Sequence, residues 1–391
     1  MGCQQACKGV GDRGLRPLIE RVASELDVEK PGLVVLRLPT GYGKTSFFVE
    51  LAQSTVLESR PYKALYVAPL RSLIDDVYGS IRERMKARAS TFEGYIGRQY
   101  QGSPGAPFLH KPVVVTTIDT LGMHVLKLPP AELGKVARRY CNGAEDSRGH
   151  YEVSRGAIGN SLVFFDEPHL TLSSTGLLRL FLVEFAYAAA SGATIVVATA
   201  TLPQGFMKAL EDLYDDATRR TRVRGRKIVY SYGEGDFYDE EFDATIGSVE
   251  FDTKISYAQS FHQEAAKEAL RHSDKRVLIV SNTREEAILA FKRLRALGAS
   301  RVYLLHGLMH SADRCSILHA LKGHCQNGEP HIAVTTQVIE AGVDLSYDVL
   351  ITQAAPLASI VQRVGRVSRW GERRGVVHII ETPRSGTEDC A

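Results

Sequence analysis

The sequence predicts an α/β protein made of two doubly wound parallel-sheet domains in tandem, and three observations carry that prediction. Short β-branched runs alternate with amphipathic segments along almost the whole chain. One run ends in a glycine turn of the kind that cradles phosphate. The alternation breaks near Thr218 and resumes beyond residue 260.

Taken in order, the first strands are expected at 33–38, 64–68, 113–116, 162–165 and 194–198, with helical patterns at 70–87 and 176–190. Each strand run is short, apolar and bounded by small or charged residues, the pattern of strands buried on both faces. An insertion at 128–160 holds Pro129-Pro130, an amphipathic piece around 133–140 and a polar stretch to Arg155. A connection of that length is functional or disordered rather than filler.

Arg219 to Lys227 is densely basic, and 233–243 is acidic and aromatic. These mark the end of one domain, at 1–225, and a connector at 226–260. The basic run reads equally well as a solvated linker or as a nucleic-acid contact. The second domain, 261–391, opens with a helix at 263–271. Strands at 277–280, 302–305, 332–335, 349–352 and 376–380, with a helix at 284–297, complete it.

The chain has 391 residues, 44% of them hydrophobic and 24% charged, ample for two cores. Its net charge of +3 leaves any affinity for nucleic acid to local patches. No apolar run reaches the ~20 residues that span a bilayer, and Met1 to Arg16 lacks an apolar signal segment. A cytoplasmic protein with no membrane partner is expected. None of the six cysteines forms a C-x-x-C pair, so zinc is not expected and reduced thiols are.

Pro39-Thr40-Gly41-Tyr42-Gly43-Lys44-Thr45 follows the first strand directly. Its glycines let backbone N–H groups face an anion, and a helix start adds a positive dipole. Lys44 is positioned to reach the β/γ-phosphates of ATP and the Thr45 hydroxyl to ligate Mg²⁺. By itself the stretch also reads as a plain glycine turn. Asp166-Glu167-Pro168-His169 ends a later strand: Asp166 suits Mg²⁺ held through water, and Glu167 suits a base for the water attacking the γ-phosphate. An acidic strand end is the plainer alternative.

Thr199 and Thr201 flank Ala200 after the next strand, as a hydrogen-bond relay or a helix cap. In the second domain, Gln362-Arg363-Val364-Gly365-Arg366-Val367-Ser368-Arg369 spaces three arginines at i, i+3 and i+6, predicting one helical face. That face is either solvated or supplies arginine fingers to a γ-phosphate.

The ordered set resembles a superfamily 2 helicase. P-T-G-Y-G-K-T is similar to motif I, Ala68–Leu73 to motif Ia, and 116–122 (T-T-I-D-T-L-G) to motif Ib. D-E-P-H is similar to motif II, T-A-T-L-P to motif III and S-N-T-R-E-E-A to motif IV. T-Q-V-I-E-A-G-V-D resembles motif V and Q-R-V-G-R-V-S-R motif VI, so the resemblance spans about residues 33–370. It implies two RecA-like domains with an ATP site in the cleft between them.

It further implies nucleotide binding by Thr40, Gly41, Gly43, Lys44, Thr45, Asp344 and Gln362, and Mg²⁺ at Thr45 and Asp166. Hydrolysis falls to Lys44, Asp166, Glu167, Arg366 and Arg369. Coupling to movement falls to His169, Thr199 and Thr201, and nucleic-acid contact to Arg71, Thr116 and Thr117. Pro168 stands where the family usually has Ala, Val or Ile.

Gly149-His150-Tyr151, L-L-H-G at 304–307 and Q-V-I-E-A-G-V-D-L-S-Y-D-V-L-I at 337–351 resemble the CRISPR-associated helicase of type I interference. Those enzymes carry a His-Asp nuclease domain, and no His-Asp dipeptide occurs in this sequence. The resemblance therefore implies a stand-alone helicase acting on single-stranded or R-loop DNA. Its partners would be a separate His-Asp nuclease subunit and an RNA-guided surveillance complex. An RNA or DNA-repair helicase and an ATP-gated nucleic-acid clamp are the competing readings.

Overall fold

The computed structural model describes residues 15–58, 62–86, 92–101, 103–142, 149–339, 345–369 and 374–383. The chain divides into two compact units at the Asp239–Glu240 step.

The first unit opens with α1 (Pro17–Glu25), β1 (Gly32–Arg37), α2 (Lys44–Leu57), β2 (Lys63–Ala68) and α3 (Arg71–Lys86). Then come β3 (Ile96–Tyr100), β4 (Ser103–Pro104), β5 (Val113–Thr117), α4 (Ile118–Val125), α5 (Leu133–Asn142) and α6 (Tyr151–Gly159). It closes with β6 (Ser161–Asp166), α7 (Thr175–Ala190), β7 (Thr194–Thr199), α8 (Gln204–Thr221) and β8 (Arg226–Ser231).

Its sheet runs β4-β3-β5-β2-β6-β7-β1-β8, parallel except for β4. The central strands β5, β6 and β7 are buried at every position. That is why they read as unbroken apolar runs rather than alternating ones. In register, β1 lies beside β7 and β7 beside β6, so the ends of all three meet at one edge of the sheet.

The second unit comprises α9 (Glu240–Gly247), β9 (Glu250–Tyr257), α10 (Phe261–Arg271), β10 (Arg276–Val280), α11 (Arg284–Ala296) and β11 (Val302–Leu305). It continues with α12 (Ser311–Asn327), β12 (His331–Thr335), β13 (Val349–Gln353), α13 (Leu357–Val364) and β14 (Arg374–Glu381). Its sheet is parallel in the order β11-β12-β10-β13-β14-β9.

The segment expected to be a connector supplies one strand to each sheet: β8 pairs with β1 and β9 with β14. Both are edge strands, and β9 is exposed at seven positions and half-buried at Ser256, so neither shows the apolar run of a central strand. The 128–160 insertion contains α5 and α6, and His150 Nδ1 lies 2.8 Å from buried Glu132 Oε1 at its base. Cys141 and Cys325 form no disulfide, whereas Cys315 is disulfide-bonded, which corrects the expectation of reduced thiols at that position.

Close packing of α4 on α7 explains one glycine. A Cβ on Gly122 would sit 2.4 Å from Leu180 Cδ1 and 2.8 Å from Glu184 Oε1. Glu184 is buried in this contact, and neither carboxylate oxygen has a hydrogen-bond partner of normal geometry among the described residues. Burial, with the Asp119 charge adding to it, pushes its carboxyl well above the usual range.

The folded protein therefore keeps a proton that the unfolded chain releases at ordinary carboxyl pH. Stability is lost as pH rises from that range toward the folded value. Glu184→Gln is expected to remove this loss, raising the thermal midpoint at pH 8 by a few degrees and leaving it nearly unchanged at pH 4. Thermal unfolding across that pH range checks it.

Candidate nucleotide site

β1 ends at Arg37, and the chain turns through Thr40, Gly41 and Gly43 into α2. Gly41 (φ +81°) and Gly43 (φ +116°) lie in backbone regions that side chains disfavour, while a Cβ at either would meet nothing within 4 Å. Conformation rather than space calls for glycine here. No side chain caps the start of α2, so its first N–H groups and dipole face outward as an anion site. Thr45 is half-buried in that first turn.

Lys44 is 7% exposed. Its Nζ donates to the Leu38 carbonyl at 2.9 Å and the Pro39 carbonyl at 3.3 Å, and pairs with Glu167 Oε1 at 3.2 Å. The two motifs thus meet in one buried ion pair, each element delivered by its own strand end.

Glu167 adopts a left-handed backbone (φ +49°, ψ +48°), a conformation that costs a non-glycine residue roughly 1–3 kcal/mol. Pro168 follows as the first residue of a short 3-10 turn, where a proline ring fits without losing a backbone bond. Its presence leaves both carboxylates in place. Glu167 Oε2 accepts from the Ala200 N–H at 3.2 Å and lies 3.2 Å from His169 Nδ1. The same His169 nitrogen is 2.9 Å from Thr199 Oγ1, which donates to the Thr201 carbonyl at 3.1 Å.

Glu167, His169, Thr199 and Thr201 therefore form one network linking the ends of β6 and β7. Burial opposes the Glu167 charge, but Lys44 and His169 overcome it and hold the carboxyl well below the usual range.

Asp166 is also buried. Burial and then the Glu167 charge push its carboxyl up. Its Oδ2 accepts from the Tyr66 hydroxyl, and its Oδ1 is buried with no hydrogen-bond partner among the described residues. An orphaned buried carboxylate oxygen fits a hydrated divalent cation, whose charge would favour the ionised carboxylate. Thr45 and Asp166 would hold it.

In the second unit the arginines do not share a helical face, which corrects that expectation. α13 stops at Val364 with Gly365 as its cap, and Ser368 is left-handed at φ +51°. Arg363 lies on the helix, fully buried, and donates to Thr352 Oγ1 at 2.7 Å, the Gln353 carbonyl at 3.0 Å and Asn282 Oδ1 at 3.0 Å. Arg366 is 6% exposed, which also excludes a solvated basic face.

The turn after the helix is pinned to Ser346-Tyr347, with a single bridge between Tyr347 and Val367. The Tyr347 N–H donates to the Arg366 carbonyl, the Ser368 N–H to the Tyr347 carbonyl and the Arg369 N–H to Ser346 Oγ, each at 2.9 Å. Gln362 is buried, and its Nε2 has no partner among the described residues. Asp344 lies outside the described residues.

Of the residues expected at nucleic acid, Arg71 is exposed at the start of α3, bonded to Gln101 Oε1 at 2.9 Å. Thr116 and Thr117 are buried, their hydroxyls donating to the Gln99 carbonyl at 2.6 Å and to Thr120 Oγ1 at 3.0 Å. The Thr116 hydroxyl is thus spent on β3 and the Thr117 hydroxyl on the first turn of α4, so neither is presented for the phosphate contact expected of it. Sequence reasoning missed Tyr66, Ser346 and Tyr347, and did not foresee Arg363 as a buried anchor. Tyr66 alone carried a signal, as the one polar side chain inside the apolar run of β2.

Residues 20–209 match the DEAD/DEAH box helicase family, and residues 273–372 match the C-terminal part of the CRISPR-associated nuclease/helicase Cas3 family. The chain is 25% identical to the CRISPR-associated helicase Cas3 of Thermoproteus tenax over 368 residues, 90% of this chain and 56% of that protein. It thus spans little more than half the length of that relative. Its fold is similar to that of T. fusca Cas3 bound to AMPPNP, with a TM-score of 0.64 at 18% identity, over 95% of this chain and 47% of the other. It is also similar to the Mycobacterium smegmatis helicase Lhr bound to ssDNA and AMP-PNP, with a TM-score of 0.62 at 16% identity, over 94% and 46% of the two chains.

Proposed function

Since the chain carries a DEAD/DEAH box helicase domain followed by a Cas3-like C-terminal domain, the pair that marks an ATP-hydrolysing helicase, we propose an ATP-driven DNA translocase of CRISPR type I interference. It acts in the cytoplasm on single-stranded or R-loop DNA, supplied by an RNA-guided surveillance complex, and works with a separate His-Asp nuclease subunit. Among the described residues no helix is long and apolar enough to cross a membrane.

The observation that carries this reading is the buried network from Lys44 through Glu167 and His169 to Thr199. A purely structural acidic strand end has no need of a catalytic base held ionised by the lysine of a phosphate loop. Thr40, Gly41, Gly43 and Lys44 bind the phosphates, and Gln362 and Asp344 contact the nucleotide. Thr45 and Asp166 would hold Mg²⁺, which would supply charge neutralisation at the phosphates.

Glu167 accepts a proton from the attacking water, and Arg366 and Arg369 stabilise the γ-phosphoryl group in the transition state. His169, Thr199 and Thr201 pass the change at Glu167 to the end of β7. Arg71 binds a phosphate of the DNA backbone, which carries no sequence information. ATP hydrolysis with and without each nucleic acid tests the reading. Stimulation by single-stranded DNA and not by RNA is expected, and stimulation by RNA alone overturns the DNA assignment.

A further inference from the structure

β2 is buried from Ala64 to Ala68, and among these apolar residues Tyr66 carries a hydroxyl. A buried phenol needs a hydrogen-bond partner, and here the partner is Asp166 Oδ2. The ring is fixed by packing, with centroids 5.0 Å from Phe48 and 5.9 Å from Phe164, the latter nearly parallel at 15°. The hydroxyl therefore has little freedom to point elsewhere. Asp166 is left with one oxygen satisfied and Oδ1 buried without a partner among the described residues.

We propose that Tyr66 is a positioning residue for the divalent cation that accompanies the nucleotide. Its hydroxyl locks the Asp166 carboxylate so that Oδ1 alone faces the cation's water shell. Rotation of the carboxylate would break the Tyr66 bond and leave the second oxygen unsatisfied as well, so the orientation is set before the cation arrives. Packing alone does not account for the residue, because phenylalanine fills the same space between Phe48 and Phe164. The proposal rests on the ATPase reading of this site.

Tyr66→Phe tests it, with Mn²⁺ binding read by electron paramagnetic resonance in the presence of a non-hydrolysable ATP analogue. Removing such an outer partner weakens metal binding by about 10–100-fold, and that loss is expected here, with analogue affinity in EDTA unchanged. Hydrolysis should recover at high Mg²⁺. A purely structural role lowers the thermal midpoint without changing the ratio of metal-dependent to metal-free affinity.

In an Asp166→Asn background the Tyr66 substitution should add no further loss. In wild-type protein carrying 3-fluorotyrosine, Mn²⁺ with the analogue should broaden one buried fluorine signal, a readout that needs no variant to fold. Mn²⁺ affinity of Tyr66→Phe within twofold of wild type, additive losses in the Asn background, or no broadening each overturn the proposal. Failure of the wild type itself to bind the metal–nucleotide pair would instead overturn the ATPase reading.

Discussion

Glu167→Gln loses ATP hydrolysis while keeping nucleotide binding, with kcat falling by about 10²–10⁴-fold, the usual contribution of a positioned general base. Glutamine keeps the size of the side chain and an oxygen to accept from the Ala200 N–H, so the end of β6 is held as before. It removes the charge that Lys44 and His169 maintain and with it the capacity to accept a proton. KM for ATP should change little, since the base serves the transition state rather than ground-state binding. Steady-state kinetics with equilibrium binding of a fluorescent ATP analogue measure the split. A fall in binding equal to the fall in kcat/KM contradicts the assignment of Glu167 as base.

Lys44→Ala should lose both binding and turnover. Its ammonium is the one cation that the phosphate loop itself supplies to the site, and it is held near the loop by the Leu38 and Pro39 carbonyls. A charge aimed at the transferring phosphate contributes about 10²–10³-fold in rate, and the lost attraction to the phosphates weakens affinity as well. There is a second effect. Without Lys44, Glu167 keeps its burial but loses its main counter-charge, so its carboxyl rises toward protonation.

The residual activity of Lys44→Ala should therefore shift its acid limb to higher pH. The sign follows from the pairing: a partner that held the pKa down has gone, so the base is ionised only at higher pH. Pre-steady-state hydrolysis across pH 5–9 reads this. An unshifted acid limb argues that Lys44 and Glu167 are not coupled during turnover.

Much of this site was legible before any coordinate. The glycine turn and the Asp166-Glu167 pair each followed an apolar run, and both runs proved to be central strands, β1 and β6, buried by neighbours on either side. The ladder of motifs then fixed their order. The parts that stayed hidden share one cause, that composition does not record which way a side chain points. Thr116 and Thr117 sit at the end of β5, where a hydroxyl faces either the solvent or the protein, and here Thr116 bonds to β3 and Thr117 to Thr120 of α4.

The arginine spacing of 363, 366 and 369 fits a helix, but Gly365 ends α13 after the first of them. Arg363 then becomes a buried anchor to Asn282 and Thr352, while Arg366 and Arg369 lie on a turn pinned by Ser346 and Tyr347. β8 and β9 escaped notice because edge strands need no apolar run: β9 alternates Glu, Phe, Asp, Thr, Lys, Ile, Ser and Tyr, a period of two hidden within a charged stretch.

The central claim is that a base held at Glu167 by Lys44 and His169 turns ATP hydrolysis into movement along DNA. Displacement of the labelled strand of a forked DNA duplex, with ATP, by wild type and by Glu167→Gln, tests it most directly. The account predicts displacement by wild type and none by the variant, although the variant still binds both the nucleotide and the fork. Displacement by Glu167→Gln at the wild-type rate, or none by a wild type that hydrolyses ATP on the same fork, would contradict it.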